Sequence, residues 1–234
     1  MRILAGTSGW SFKEWKGSFY PKDLPDDGML GFYAGRFPTV EINNTFYRMP
    51  RESVLLDWVA KVPPEFRFAI KASQRITHHG RLKDVADSLE YFTRVTSSLG
   101  EQRGPTLFQL PPNLKKDLPR LAEFLAILPR GWRSSFEFRH SSWFDDDVYE
   151  ALRGRDAALC IADHDDFETP AVRTASWGYA RLHRLTYDEA ALAAWRARLS
   201  GLGAEEMYVF FKHDETAGSG PAAAEAFIRV QADP

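Results

Sequence analysis

Short apolar runs that each end on a polar residue, with helical patterns between most of them, constrain this chain more than any other feature. The runs cover positions 3–7, 39–43, 66–71, 106–109, 135–139, 158–163, 179–183 and 207–212. Runs of this length bounded by turn signals suit parallel strands, which are covered on both faces and so read as continuous rather than alternating apolar segments. Between them, apolar residues recur at helical spacing over 30–36, 53–61, 87–99, 118–128, 145–152, 187–199 and 221–230. Pro221 falls in a first helical turn, where its missing N–H is not needed. The stretch 163–176 holds Pro170 and little periodicity, and reads as a loop or a distorted helix. Strand–helix alternation repeated in this way predicts an α/β fold: a single (β/α)8 TIM barrel of parallel strands over 1–234, with an irregular unit after strand six. The rival architecture, an open doubly wound sheet, lacks its signature here, because no strand is followed by GxGxxG or a Walker sequence.

The 234 residues suffice for such a barrel, and 44% hydrophobic with 26% charged residues excludes a disordered chain. A formal charge of −2 gives no bulk attraction to nucleic acid or anionic membranes. Cys160 is the only cysteine and lies in the apolar run Ala158–Ile161, so it reads as a small core hydrophobe; an intramolecular disulfide and a cysteine zinc cage are excluded. The start, MRILAGTSGW, is too polar for a signal peptide, and no stretch has the length of a membrane span. A cytoplasmic protein without membrane contact is the expectation, and a monomer is compatible with the sequence.

Strand side chains alternate between faces. Taking the last inward position of each run, one parity class collects polar groups: Thr7, Glu41, Asn43, Lys71, Gln109, Glu137, Arg139, Asp163, Arg181, His183 and Lys212. Beneath them Ile3, Ala5, Ala69, Leu107, Leu159, Ile161 and Phe210 would fill the interior. The cations Lys71, Arg139, Arg181 and Lys212 would then face the carboxylates Glu41, Glu137 and Asp163 on the C-terminal face, where barrel enzymes hold their chemistry. A salt-bridge network that merely plugs the barrel mouth is the simpler alternative.

Loop aromatics add Trp10, Trp15, Phe19, Tyr20, Phe46, Tyr47, Trp143 and Trp177. Beside cations they would suit a ligand with flat or sugar-like faces, although any single ring is better explained as closing a loop over the core. His140, His183 and His213 lie at strand ends, but there is no HxH on strand one and no HExxH, so neither metal nor other cofactor is expected. His78 and His79 fall in the loop after strand three, either as anion donors or as ordinary loop residues.

GTSGW at 6–10, FYP at 19–21, EINNTFYRMP at 41–50, KASQRITH at 71–78, LFQLPP at 107–112, EFRHSSW at 137–143, RLH at 181–183 and FFKH at 210–213 occur in order. As an ordered set they resemble the YecE-like family, a domain of unknown function, over nearly the whole chain. The resemblance implies a (β/α)8 barrel whose strand-end motifs fall on Glu41, Asn43, Asn44, Lys71, Gln109, Glu137, Arg139, His140, Arg181 and His183. It implies no settled activity. The family fold is similar to the barrels of endonuclease IV and sugar isomerases, an analogy that suggests a nucleic-acid role without fixing one. The chain departs from many relatives in carrying Arg184 instead of Gly after RLH, and Lys212-His213 instead of two Asn near the end of strand eight.

The expectation is therefore an anion-binding barrel acting as a hydrolase or lyase on a small phosphorylated, carboxylated or sugar-like ligand. Glu137 is the candidate general acid/base, Glu41 a second carboxylate, and Lys71 a further catalytic group, with imine formation by Lys71 or Lys212 as a variant. Arg139 and Arg181, with Lys71, would hold the anion; Asn43, Asn44, Tyr47, Gln109, His140, His183, Lys212, Trp10 and Trp143 would complete the ligand site. The alternatives are a non-catalytic nucleic-acid or nucleotide-binding module and a metal-dependent nuclease.

Overall fold

The strands are β1 (Arg2–Thr7), β2 (Thr39–Ile42), β3 (Arg67–Lys71), β4 (Arg103–Gln109), β5 (Ser134–Glu137), β6 (Ala158–Asp163), β7 (Trp177–Leu182) and β8 (Glu206–Phe211) in the computed structural model, which describes residues 1–165, 167–212 and 219–230. All pair in parallel, in the order β1-β8-β7-β6-β5-β4-β3-β2, so the expected (β/α)8 architecture is what the chain forms. Its helices are α1 (Met29–Ala34), α2 (Glu52–Ala60), α3 (Ala86–Thr96), α4 (Leu118–Ile127), α5 (Asp146–Arg153), α6 (Glu189–Ser200) and α7 (Ser219–Arg229). Asp117, Asp145 and Asp188 accept from first-turn backbone N–H groups of α4, α5 and α6, which fixes where these helices begin. None of the described helices is long and apolar enough to cross a membrane.

The barrel has two weak seams. Six paired positions join β1 to β8 and six join β7 to β8, but β5 meets β6 only at Ser135–Ala158 and Phe136–Leu159. Between β1 and β2 the only described pairing is a bridge from Ser8 to Glu41. The sheet is therefore two four-stranded halves, β6-β7-β8-β1 and β2-β3-β4-β5. At the β1–β2 seam the backbones come close: a Cβ on Gly6 would lie 2.1 Å from the carbonyl oxygen of Thr39.

The irregular unit after β6 forms no helix among its described residues. Its threonines bond to the strand instead. Ala162 N donates to Thr169 Oγ1 at 2.9 Å, and Leu159 N donates to Thr174 Oγ1 at 2.7 Å. Thr169 thus takes a backbone donor past the end of the short β5–β6 ladder, and Thr174 takes one ahead of the first β6–β7 pair, as buried N–H groups require.

Two hydrophobic clusters divide the core. Leu4, Ala69, Leu107, Cys160, Tyr179, Tyr208 and Phe210 form the barrel interior, while Ala5, Leu159, Ile161 and the rest of the outward faces pack with the helices. The expected interior set is thus correct on β3, β4 and β8 and reversed on β1 and β6. Ala5, Leu159 and Ile161 face the helices, and Ile3 packs against the same outer cluster. Cys160 is fully buried, and burial followed by the nearby Glu137 charge pushes its thiol far above the usual range. It is an inert core residue.

Candidate functional site

Arg181, near the end of β7, organises the C-terminal mouth. Its Nη1 donates to Glu137 Oε2 at 2.6 Å and its Nη2 to Glu41 Oε1 at 3.0 Å, so one guanidinium bridges carboxylates on β2 and β5. Such a planar fork can hold two anions at once, which an ammonium point charge cannot do. Glu41 also accepts from Ser8 Oγ at 2.7 Å, Asn43 Nδ2 at 3.0 Å and Tyr179 OH at 2.7 Å. Glu137 accepts from Gln109 Nε2 at 2.9 Å and Arg139 Nε at 2.7 Å. Both carboxylates are wholly buried.

Burial alone would raise the pKa of Glu41 and Glu137, but the Arg181 charge and the converging donors outweigh it. Glu41 ends below the ordinary carboxylate range and Glu137 well below it. A carboxylate held ionised in this way is a poor proton carrier near neutral pH. The general acid/base role expected of Glu137 does not fit its surroundings, and the residue serves instead to fix two guanidinium groups.

Lys71 closes β3 and is half-buried. Its Nζ sits 4.4 Å from the centroid of the Phe46 ring, and no carboxylate of the described residues lies within salt-bridge distance of it. Burial, then the Arg181 charge, outweigh the two glutamates and lower its pKa to about 8. Arg139, about one third exposed, spends only its Nε on Glu137; its Nη groups make no hydrogen bond among the described residues.

His183 packs on the other side of the cluster. Its Nε2 lies 3.1 Å from Ser8 Oγ. The single hydroxyl proton of Ser8 goes to the ionised Glu41, so Ser8 can only accept from the imidazole, and His183 carries its proton on Nε2. Burial, then Arg181, hold its pKa well below the usual histidine value, leaving Nδ1 an unprotonated acceptor. His164, just past β6, stands edge to face with His183 at 5.4 Å between ring centroids. Its Nε2 is 3.9 Å from Glu137 Oε1, beyond hydrogen-bond reach. Asn43 Oδ1, Arg181 Nε and His164 Nε2 are all buried without a hydrogen-bond partner among the described residues.

The structure thus brings together Glu41, Asn43, Lys71, Gln109, Glu137, Arg139, Arg181 and His183, and adds Ser8, Tyr179 and His164. Three expected members lie elsewhere. Thr7 faces the helices, bonded to Tyr33 OH at 2.9 Å, and Ser8 takes the inward position. Asp163 bonds Arg184 Nε at 2.7 Å and Tyr187 OH at 2.9 Å, away from the two glutamates. Lys212 is exposed and borders a groove with Arg184, Tyr187 and Ser219.

The remaining residues are divided between exposed loops and the core. Asn44 and Tyr47 are exposed, Tyr47 by 74%. His140 Nδ1 accepts from Ser142 N at 3.2 Å. Trp10 packs edge-on to Trp58 at 4.9 Å. Trp143 is wholly buried, stacked on Phe138 at 4.6 Å, with its Nε1 donating to Leu114 O; it closes the core, contrary to the expected ligand contact. Trp15, Tyr20 and Trp177 are buried too, and Phe19 packs against Phe37. His78 stands edge-on to Phe46, and His79 is exposed. His213 lies outside the described residues. No group of three or more His, Cys, Asp or Glu among the described residues is placed to hold a metal ion.

The family described as "Protein of unknown function DUF72" matches residues 4–233. The chain belongs to the DUF72 family. Among curated relatives it is 34% identical over 113 residues to UPF0759 protein YecE of Escherichia coli, covering 48% of this chain and 42% of that one. UPF0759 protein YunF of Bacillus subtilis is 30% identical over 156 residues, covering 63% and 54%. These alignments span about half the length of either relative. Among solved structures, a DUF72 protein of Thermotoga maritima superposes with a TM-score of 0.88 at 28% identity over 98% of both chains. A DUF72 protein of Enterococcus faecalis gives 0.83 at 18%, covering 99% and 97%. A xylose isomerase-like TIM barrel/4-hydroxyphenylpyruvate dioxygenase fusion protein gives 0.53 at 15%, covering 96% of this chain and 41% of that one, a likeness of fold.

Proposed function

We propose that the C-terminal mouth binds a small anionic ligand carrying phosphate or carboxylate, and that the protein is a hydrolase or lyase acting on it. The supporting observation is the division of labour among the charges. Arg181 is consumed by Glu41 and Glu137, whereas Lys71 has no anionic partner among the described residues and the Arg139 fork is engaged only through Nε. Two ionised carboxylates face three cationic side chains, so the site favours a further negative charge, and the free Nη edge of Arg139 has the geometry for bidentate oxyanion binding.

The orphaned polar atoms favour a ligand that also carries hydroxyl or amide groups. Asn43 Oδ1 needs a donor and Arg181 Nε needs an acceptor, and a sugar-like hydroxyl supplies both. Proton transfer falls to Lys71, whose pKa of about 8 lies near working pH, rather than to either glutamate or to His183, which burial and Arg181 hold neutral.

Titration calorimetry with inorganic phosphate, glucose 6-phosphate and free glucose tests this reading. Binding of the phosphorylated sugar ahead of both others is expected. If none of the anions binds, the reading fails.

A further inference from the structure

We propose that Lys71 is a nucleophile whose amine forms an imine with the carbonyl carbon of the ligand, so that the substrate class is a small anionic carbonyl compound: an oxo acid, or a phosphorylated aldehyde or ketone. This rests on the anion site described above and adds the reacting group.

Lys71 differs from an ordinary site lysine in its surroundings. A lysine beside two carboxylates normally pairs with one of them, but Glu41 and Glu137 are saturated by Arg181, Arg139 and four uncharged donors. The amine is left against the face of Phe46, which shields it from water on that side. Thr45 Oγ1 donates to the Lys71 carbonyl at 2.7 Å and fixes the backbone from which the side chain projects. Desolvation and neighbouring cations are the means by which a lysine is made available as a free amine. Arg139 and Arg181 supply the cations here, and burial is the largest cause of the lowered pKa. A lysine that only gripped an anion would be served better by keeping its proton.

The step balances within the site. The unprotonated amine attacks the carbonyl carbon, a C–N bond forms, the C=O electron pair moves to oxygen, and a proton passes from the new ammonium nitrogen to that oxygen. The carbinolamine hydroxyl then takes up one proton from solvent and leaves as water, its C–O bond breaking as the nitrogen lone pair forms C=N⁺. No oxidant or metal is required. The iminium withdraws electrons from the adjacent carbon, whose C–H or C–C bond is weakened, and this favours the lyase side of the functional reading.

The test is reductive trapping. The protein is incubated with pyruvate, with dihydroxyacetone phosphate or with acetone, then treated with sodium borohydride, and the adduct is located by peptide mass mapping. Expected is a single adduct at Lys71, about tenfold faster with the anionic probes than with acetone, because the charged group gains hydrogen bonds to Arg139. Lys71→Arg, which keeps the charge, should lose the adduct while still binding phosphate by calorimetry. No adduct, or one spread over other lysines and unchanged in Lys71→Arg, overturns the imine. Equal trapping with acetone overturns the anionic substrate class. Binding of phosphate or glucose 6-phosphate without an adduct removes this proposal and leaves the anion site standing; absence of binding by both removes the anion site itself.

Discussion

The two arginines of the mouth do different work, and their substitutions should separate cleanly. Arg181 is buried between two buried carboxylates. Arg181→Ala would leave Glu41 and Glu137 without their shared cation, and stranding partners of a buried pair costs about 3–5 kcal/mol. Urea unfolding should show that loss, and a midpoint within error of the parent protein would refute the structural role. Arg139→Ala is the opposite case. Glu137 keeps Arg181 and Gln109, so the melting temperature should hardly move. Phosphate affinity should fall by about 1.5–3 kcal/mol, the worth of hydrogen bonds to a charged group. Loss of stability with unchanged phosphate affinity would make Arg139 part of a plug. The sequence exposed most of these residues because a charge at the end of an apolar run is conspicuous. It hid Ser8 and Tyr179, which are ordinary residue types whose importance comes from the carboxylate they bond. It hid His164 as well, because that residue lies beyond a strand end in a segment without periodicity. The separate duties of the arginines were not legible either, since they depend on which oxygen each nitrogen reaches.

At the level of the strands, alternation was read correctly wherever the run had an unambiguous end. On β1 and β6 it slipped by one. In β1 the small residues Ala5, Gly6 and Thr7 give no contrast between faces, and the inward polar residue is Ser8, one position past the expected end. In β6 every position is buried, so the sequence gives no sign that Asp163 faces Arg184 and Tyr187 and not the barrel interior. A one-residue shift exchanges the two faces of a strand, and a run apolar on both faces carries no signal against it. The absent helix after β6 was legible from Pro170 and the lost period; the threonine bonds that replace it were not. Gly6 gives the test at this scale. Gly6→Ala places a methyl group 2.1 Å from Thr39 O, and backbone cannot yield as a side-chain tip does. We expect a loss of about 3 kcal/mol, the upper end for overpacking, at the seam where a single bridge joins β1 to β2. Circular dichroism melting would show it. A neutral result would mean that the seam opens without cost.

Across the whole barrel, the polar cluster does what the seams do not. Arg181, Tyr179, His183 and Ser8 belong to the half containing β6, β7, β8 and β1, and Glu41 and Glu137 to the other. The strongest charged contacts of the site therefore staple the two halves, and protonating them should loosen the entire fold rather than one loop. The sign can be worked out. His183 has a folded pKa well below its ordinary 6.5, with burial and then Arg181 as the causes. Below pH 6.5 the unfolded chain takes up a proton that the folded chain refuses, so stability falls as pH falls. Glu41 and Glu137 are lowered from 4.5 because Arg181 and the hydrogen-bond donors outweigh burial, so their contribution is complete above 4.5 and is lost on going below it. Both effects act in the same direction. The urea midpoint should decline from about pH 6.5 downward and drop more steeply below about pH 4.5. His183→Gln, whose amide can still donate to Ser8, should flatten the upper part of the curve and leave the steep acid limb in place. His78, also shifted downward by burial and by Lys71, accounts for the slope that remains. A midpoint that stays level from pH 7 to pH 5 in the parent protein would mean that His183 is protonated inside the folded barrel, and the neutral acceptor assigned to it would have to be abandoned.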